Sequence, residues 1–458
     1  MSIPEGTREL AKFAANLKHD DIPPQTRARA IDLLVDQIGV EIGGSDMPWS
    51  TQVRDAFTKA NSTPGEATVV RYGDRLPIAA AAFINSAFGH SFEFDDANPL
   101  IHGHPGSELV PSLMAVAERD HVSGRNFLTT FIAAYEVRGR IGWAASASMA
   151  SHLGPQFSSA YGPFGVAAGV GRLFGLSADG IRNAMGIAGT YSGGLMQYNR
   201  GGGSVKRIFS AVAAESGIQA AQLAQAGITG PEQILEGERG VLKLYAPEYR
   251  PEILVAELGT KWTIDSVSFK PYCCSAVIHP AIEALKRVLT QHDINASDIE
   301  AIEVYYPARS IGSAAIATPA DLLGMQFSTS FSLALTATAG NNTPREYTMT
   351  ALNDPNVRTV ASRVSLHEDA ELSKASRGHF VARVKVKTHS KGTHEALVTD
   401  AKGTPGAPLS TREIDAKFSS QVADVLGKAR CAELLRVLRD IDNCDDVSKV
   451  STMLVKTD

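Results

Sequence analysis

Apolar residues recur at helical spacing through much of the first 260 positions. Ile31, Leu34, Val35, Ile38 and Ile42 form one stripe; Pro23 and Pro24 suit a first turn and Gly43-Gly44 an end. That spacing predicts a helix over 23–42. Residues 67–75 read as a short extended piece. An apolar, Ala-rich helix follows from Ala79 to Phe88, then a helix near Leu109–Arg119, a turn at Ser123-Gly124 and a long helix toward Ala145. From Phe157 to Gln225 the chain is mostly small-residue helix, punctuated by Gly162, Gly165, Gly169, Gly171 and Gly175. A dinucleotide fingerprint is the wrong reading of those glycines, because the spacing fails and no strand precedes them. Close helix packing accounts for them better.

The period changes near residue 265. Ile302, Val304 and Tyr306 alternate with polar neighbours, as do Phe380, Ala382, Val384 and Val386 with Arg383, Lys385 and Lys387. These are half-exposed strands. Helices are expected at about 279–291, 326–339 and 354–363, giving an α+β unit with an antiparallel or mixed sheet. A last helical region places Ala432, Leu434, Leu435, Val437 and Leu438 on an apolar face. The fold expected is therefore mainly α with a smaller α+β domain. Residues 1–265, with 405–458 packing back on them, form the helical domain; 266–404 form the α+β domain.

Composition narrows the function. The 458 residues are 44% hydrophobic and 20% charged, with net charge −5 and no basic cluster interleaved with aromatics. A nucleic-acid partner is not expected. No apolar run reaches bilayer length, and Glu5, Arg8, Glu9 and Lys12 interrupt the N-terminus, so neither a membrane span nor a signal peptide is expected. The four cysteines include the adjacent Cys273 and Cys274 and form no CxxC pair. This fits a reducing cytoplasm and argues against a zinc or iron–sulfur centre.

The chemistry concentrates in residues 83–108. His90, Glu93, Asp95 and Asp96 fall within seven residues, and His102 and His104 follow, between apolar flanks. Carboxylates and imidazoles forced together perturb one another's pKa, as general acid–base chemistry requires. Two further features carry positive charge. Arg200-Gly-Gly-Gly203-Ser204-Val-Lys206 precedes a helix expected over Ile208–Ala224, an arrangement that can hold an anion though it lacks the P-loop order. Lys270 opens the second domain beside Pro271 and an apolar stretch. A cleft between the domains would let all three face a small di- or tricarboxylate. The natural reaction is then proton abstraction beside a carboxylate, with loss of a neighbouring group or return of the proton.

These residues resemble the MmgE/PrpD family, which includes 2-methylcitrate dehydratase, cis-aconitate decarboxylase and iminodisuccinate epimerase. The resemblance runs over nearly the whole chain. It is carried by Asn85–Asp96, His104-Pro105, Ala115–Gly124, Gly162–Ala168, Lys206, Gly230-Pro231 with Leu235-Glu236-Gly237, Phe269-Lys270, Gln326-Phe327-Ser328 and the Lys402 to Phe418 region. It implies a large helical domain with a smaller α+β lid, a homodimer, and a mechanism without metal or cofactor. It places the catalytic positions on Glu93, His104, Lys206 and Lys270, with Asp95 and Asp96 beside them. Gln156, Arg200, Gly203, Ser204, Ser275 and His90 are the candidate substrate-binding positions. The chain departs from the family pattern at Glu93, commonly Asp, and at Ala97, commonly Thr. Gln156 and Ser275 stand where the decarboxylase-like pattern has His. These departures point to a changed substrate or reaction. The expected activity is β-elimination of water from a hydroxy-polycarboxylate. Epimerisation or decarboxylation on the same scaffold, or an inactive carboxylate-binding homologue, are the alternatives.

Overall fold

The computed structural model describes residues 5–457 apart from 62, 149–154, 199–202, 313 and 377–379. Arg200, a candidate binding residue, lies outside the described residues, as do its neighbours Gly201 and Gly202. The chain divides into two compact units. The first comprises Met1–Ser91, Asp95–Val267 and Ser410–Asp458; the second comprises Phe92–Phe94 and Ser268–Leu409.

The first unit is helical. The Pro24–Gly44 helix has Pro24 in its first turn and is buried along most of its length. Its interior face is not purely apolar: Asp36, Gln37 and Glu41 are buried with Leu34 and Ile38, whereas Ile31 of the expected stripe is half-buried. The Ile78–Gly89 helix is buried at every position but Ala79 and ends at His90. The extended piece near residue 67 is an antiparallel pair, Ala67–Thr68 with Arg75–Leu76.

Pro105 opens the next helix, Pro105–Arg119, and Pro111 sits inside it. A proline offers no N–H to the carbonyl four residues back. Ser107 carbonyl accepts the Ser86 hydroxyl instead, at 2.6 Å. The Gly124–Ala145 helix starts at a Ser123 cap and carries three fully buried ionic side chains inward, Glu136, Arg138 and Arg140. Arg140 pairs with Glu136 at 2.6 Å. The glycines of Phe157–Leu173 mark close approaches. A Cβ at Gly162 would lie 2.7 Å from Ala213 Cβ, and one at Gly165 would lie 2.6 Å from Arg138 Cβ. They make room for helices, as the patterning predicts.

The second unit holds a four-stranded sheet in the order Val364–Glu368, Ile299–Tyr306, Ala382–Thr388, Thr393–Val398. The first pair is parallel and the others are antiparallel, so the sheet is mixed. Ile302, Val304 and Tyr306 face inward with Ala382, Val384 and Val386. Phe380 does not join them. The strand begins at Ala382, Val381 is buried in its place, and Phe380 is exposed. The His279–Gln291 helix packs on the sheet, and Thr329–Ala339 packs on that helix.

The chain returns to the first unit through Thr411–Leu426, which packs along Pro24–Gly44 and sets Lys417 Nζ 2.8 Å from Asp36 Oδ1. In the following Lys428–Arg439 helix the buried face is Cys431, Leu434 and Leu438, and Ala432 points outward. Residues 431, 434 and 438 lie one helical turn apart, whereas 432 falls on another side.

Candidate active site

The Ile78–Gly89 helix delivers His90 at its C-terminal end, and the Pro105–Arg119 helix begins at His104. Between them, Asp95 and Asp96 are fully buried. Asp95 Oδ2 is the meeting point. It lies 2.7 Å from His90 Nδ1, 2.8 Å from Ser107 Oγ and 3.2 Å from His104 Nδ1. The two imidazoles stand edge to face, 4.7 Å between centroids.

Hydrogen-bond partners fix the tautomer of His104. Its Nδ1 lies 2.7 Å from the Asp96 carbonyl, which can only accept, so Nδ1 carries the proton. Nε2 of the neutral ring is then the basic atom. The His104 side chain is 17% exposed, whereas those of His90 and Asp95 are fully shielded. His104 is thus the imidazole of the pair that a ligand can reach.

Burial sets the charges around it. Loss of solvent pushes His90 down to about 4, against the pull of Asp95, and the Lys206 ammonium pushes the same way. His90 is therefore a neutral donor to a carboxylate and not half of an ion pair. Asp96 moves in the opposite sense. Burial, with Asp95, Asp36 and Glu108 nearby, holds it well above the usual carboxylate range. Its Oδ1 accepts the Gly106 N–H at 3.0 Å, and among the described residues no hydrogen bond reaches Oδ2.

The loop ahead of His104 is held from beneath. Arg138 binds Glu108 at 2.9 Å and the His102 carbonyl at 2.9 Å. His102 and Gly103 both take positive φ, 51° and 116°. The patterning gave no sign of Arg138, since a charge on an apolar helix reads as solvated until its partner is seen. Gln37 and Ser107 were missed for the same reason, although a polar side chain at a core position of a helix is a usable signal.

Lys206 and Arg207 are buried, while Gly203 and Ser204 are exposed. The helix after the glycine loop begins later than expected. A 3-10 turn covers Ser204–Ile208, and the α-helix runs Phe209–Gln225. Gly203 has φ 94°, a conformation that favours glycine. Arg207 lies over the Trp49 ring at 5.1 Å, and Trp49 donates to the Ser91 carbonyl at 3.0 Å. Gln156 caps Phe157–Leu173, its Oε1 accepting the Ser159 N–H at 2.9 Å.

Glu93 and Lys270 belong to the second unit, where Lys270 Nζ lies 3.4 Å from Glu93 Oε2 with both side chains 3% exposed. Glu93 sits at φ 54°, unusual for a residue with a Cβ. Phe92 is pinned beside it, its carbonyl accepting Gln326 Nε2 at 2.5 Å and Cys273 Sγ at 2.9 Å. Ser275 is buried and its N–H donates to the Gln326 carbonyl at 2.9 Å. Burial pushes the Cys274 thiol up to about 12, so it stays protonated and is no nucleophile at neutral pH.

Among the described residues, His90, Asp95 and His104 form the group whose donor atoms could gather on a cation, all within 4.8 Å of one another. In the present geometry His90 Nδ1 is hydrogen-bonded to Asp95 Oδ2, and His104 Nδ1 is spent on the Asp96 carbonyl. No helix among the described residues is long and apolar enough to cross a membrane.

The helical unit thus carries a buried acid–imidazole nest, and the α+β unit carries a buried lysine–glutamate pair. Residues 8–254 match the MmgE/PrpD N-terminal domain and residues 272–443 the MmgE/PrpD C-terminal domain, and the chain belongs to that family. It is similar to a cis-aconitate decarboxylase-like protein of Aspergillus oryzae, at 30% identity over 99% of this chain and 98% of that protein. The cis-aconitate decarboxylase of Aspergillus terreus is 28% identical over 98% of this chain and 95% of its own length. That of Homo sapiens is 25% identical over 99% and 95%.

Proposed function

We propose that the protein is a lyase of small polycarboxylates that works by moving a proton at a carbon next to a carboxylate. His104 carries this reading: one ring nitrogen is tied to a carbonyl, and the ring is partly exposed above a buried carboxylate. That arrangement orients a general base and stabilises the imidazolium that forms when it accepts a proton. Lys206, whose charge is felt at His90, is the cation we assign to the substrate's negative charge. Asp95 and Asp96 are shielded from solvent, and we assign them to positioning and charge balance.

Elimination of water from a hydroxy-polycarboxylate is the first reaction we assign. It uses a base for the carbon-bound proton and an acid for the departing hydroxyl, and a nest of imidazoles and lysine offers both. Decarboxylation is the second reading, favoured by one observation: relatives similar along their full length are named as cis-aconitate decarboxylases. Gln156 weighs against cis-aconitate itself as substrate, because an amide capping a helix stands where the decarboxylase-like pattern has a titratable imidazole. The Glu93–Lys270 pair we assign to the same chemistry on family grounds, and we expect a homodimer.

The test is proton NMR in deuterated water with 2-methylcitrate, citrate, cis-aconitate and iminodisuccinate. Loss or gain of a vinyl proton without carbon loss identifies dehydration or its reverse. Carbon dioxide release identifies decarboxylation. Deuterium entry without either identifies epimerisation. Thermal shifts with no turnover of any acid would refute the enzyme reading.

A further inference from the structure

The contact between His90 and Asp95 does not end at the carboxylate. Ser107 Oγ lies 2.8 Å from Asp95 Oδ2 and 3.3 Å from Gln37 Oε1. Gln37 Nε2 in turn donates to Glu41 Oε1 at 3.0 Å. Asp95, Ser107, Gln37 and Glu41 are all buried. They form one line that runs out of the Pro24–Gly44 helix and stops on the oxygen where both imidazoles converge.

The backbone around this line is shaped for it. A Cβ at Gly89 would fall 2.1 Å from Gln37 Nε2, and one at Gly106 would fall 3.1 Å from Gln37 Oε1 and 2.6 Å from Asp96 Oδ1. Glycine at the end of one helix and the start of another therefore admits the glutamine amide. Ser107 is held from its other side as well. Pro111 leaves its carbonyl without a helical partner, and the Ser86 hydroxyl takes that place. A serine fixed through its backbone has few ways to turn its hydroxyl. The single hydrogen is shared as a three-centre bond, 2.8 Å to Asp95 and 3.3 Å to Gln37, so the amide oxygen, held through Glu41, keeps the hydroxyl in the plane of both acceptors.

We infer that Ser107 and Gln37 are positioning residues for proton transfer at His104. They lock the rotation of the Asp95 carboxylate so that Oδ2 stays under both rings. Neither touches a reacting atom, and neither changes charge. A carboxylate free to rotate would carry its charge away from the His104 ring, and small misplacements of a catalytic group are costly in rate. The inference rests on the proposed function, so its test carries a readout that needs no turnover.

Ser107→Ala and Gln37→Met are compared singly and together in the full chain. Each single change lowers kcat on the order of 10- to 100-fold with KM within about twofold. The double variant is no worse than the weaker single, because both cut the same line. Losses that multiply, or a raised KM at unchanged kcat, overturn the inference. The second readout is the imidazole Nδ1–H resonances of the histidine-labelled protein. His90 and His104 both shift in Ser107→Ala, while solvent-facing His121 does not; unchanged resonances at both overturn the inference. If Ser107→Ala does not fold, Gln37→Met carries both readouts from the far end of the line. If the parent protein turns over none of the acids, the functional reading falls and the resonances still decide the positioning.

Discussion

His90 and Asp95 are joined at 2.7 Å with neither side chain touching solvent. A neutral imidazole donating to a buried carboxylate is a fixture, and it leaves the charge of Asp95 available to the reachable ring of His104. Asp95→Asn keeps the shape and removes that charge. Turnover of the accepted acid falls on the order of 100-fold or more, while the circular-dichroism spectrum stays that of the parent. Steady-state kinetics checks it, and activity within about twofold of the parent would show that the carboxylate is not needed.

Among the buried groups that tie stability to pH, Glu41 and His90 act in opposite senses. Burial raises Glu41 from 4.5 to about 8, so its contribution is full below 4.5 and is lost as pH rises through 8. Burial lowers His90 from 6.5 to about 4, so its contribution is full above 6.5 and is lost as pH falls through 4. Between 4.5 and 6.5 the two slopes cancel. Above 6.5 Glu41 acts without that counterweight, and at about 1.4 kcal/mol per pH unit it costs about 2 kcal/mol by pH 8. Urea unfolding at pH 6.5 and pH 8 measures this. Glu41→Gln removes that part of the decline; an unchanged profile in the variant would assign it elsewhere.

Lys270 supplies the ammonium 3.4 Å from Glu93, and both are almost fully shielded. Lys270→Met leaves a buried carboxylate without that charge and costs about 3 kcal/mol. Adding Glu93→Gln recovers part of the loss, because the stranded charge is then gone. Thermal unfolding of the three variants tests the order: parent above the double variant, and the double variant above Lys270→Met.

Gly106→Ala places a methyl 2.6 Å from Asp96 Oδ1 and 3.0 Å from Leu33 Cδ1. Relief requires moving Asp96, Leu33 or the helix start. The change costs about 1–3 kcal/mol and lowers kcat, since His104 precedes this turn by two residues. Gly203→Ala is the contrast at a glycine with nothing within 4 Å of its Cβ position. Its cost comes from the positive φ alone and stays near 1 kcal/mol. Differential scanning calorimetry separates the two.

Helices with an apolar stripe and a proline or serine at their start were legible in the sequence. His279–Gln291 and Gly124–Ala145 lie where the patterning put them, because local signals and burial agree there. Phe380 misled, since strand alternation continues past the point where the ladder begins. The acid–imidazole nest was legible as a crowding of residue types. What each member does was not. Nothing in the run from His90 to His104 says that His104 is the reachable ring, or that Asp95 is shielded and shared. Gln37 showed only as a polar side chain at a core position, and its partner Ser107 lies 70 positions away, a separation that only the folded chain closes.

The contact between Lys417 and Asp36 bears on how the molecule is made. The strand of synthesis that begins the helical unit is finished by residues near the other terminus, after the whole α+β unit has left the ribosome. Until then the Pro24–Gly44 helix lacks the cation that lies 2.8 Å from Asp36 and the Phe418 ring that lies against Gly39. The half started first is thus the half completed last, and a polypeptide halted before position 410 would lack the Lys417 ammonium beside an acid meant for its interior.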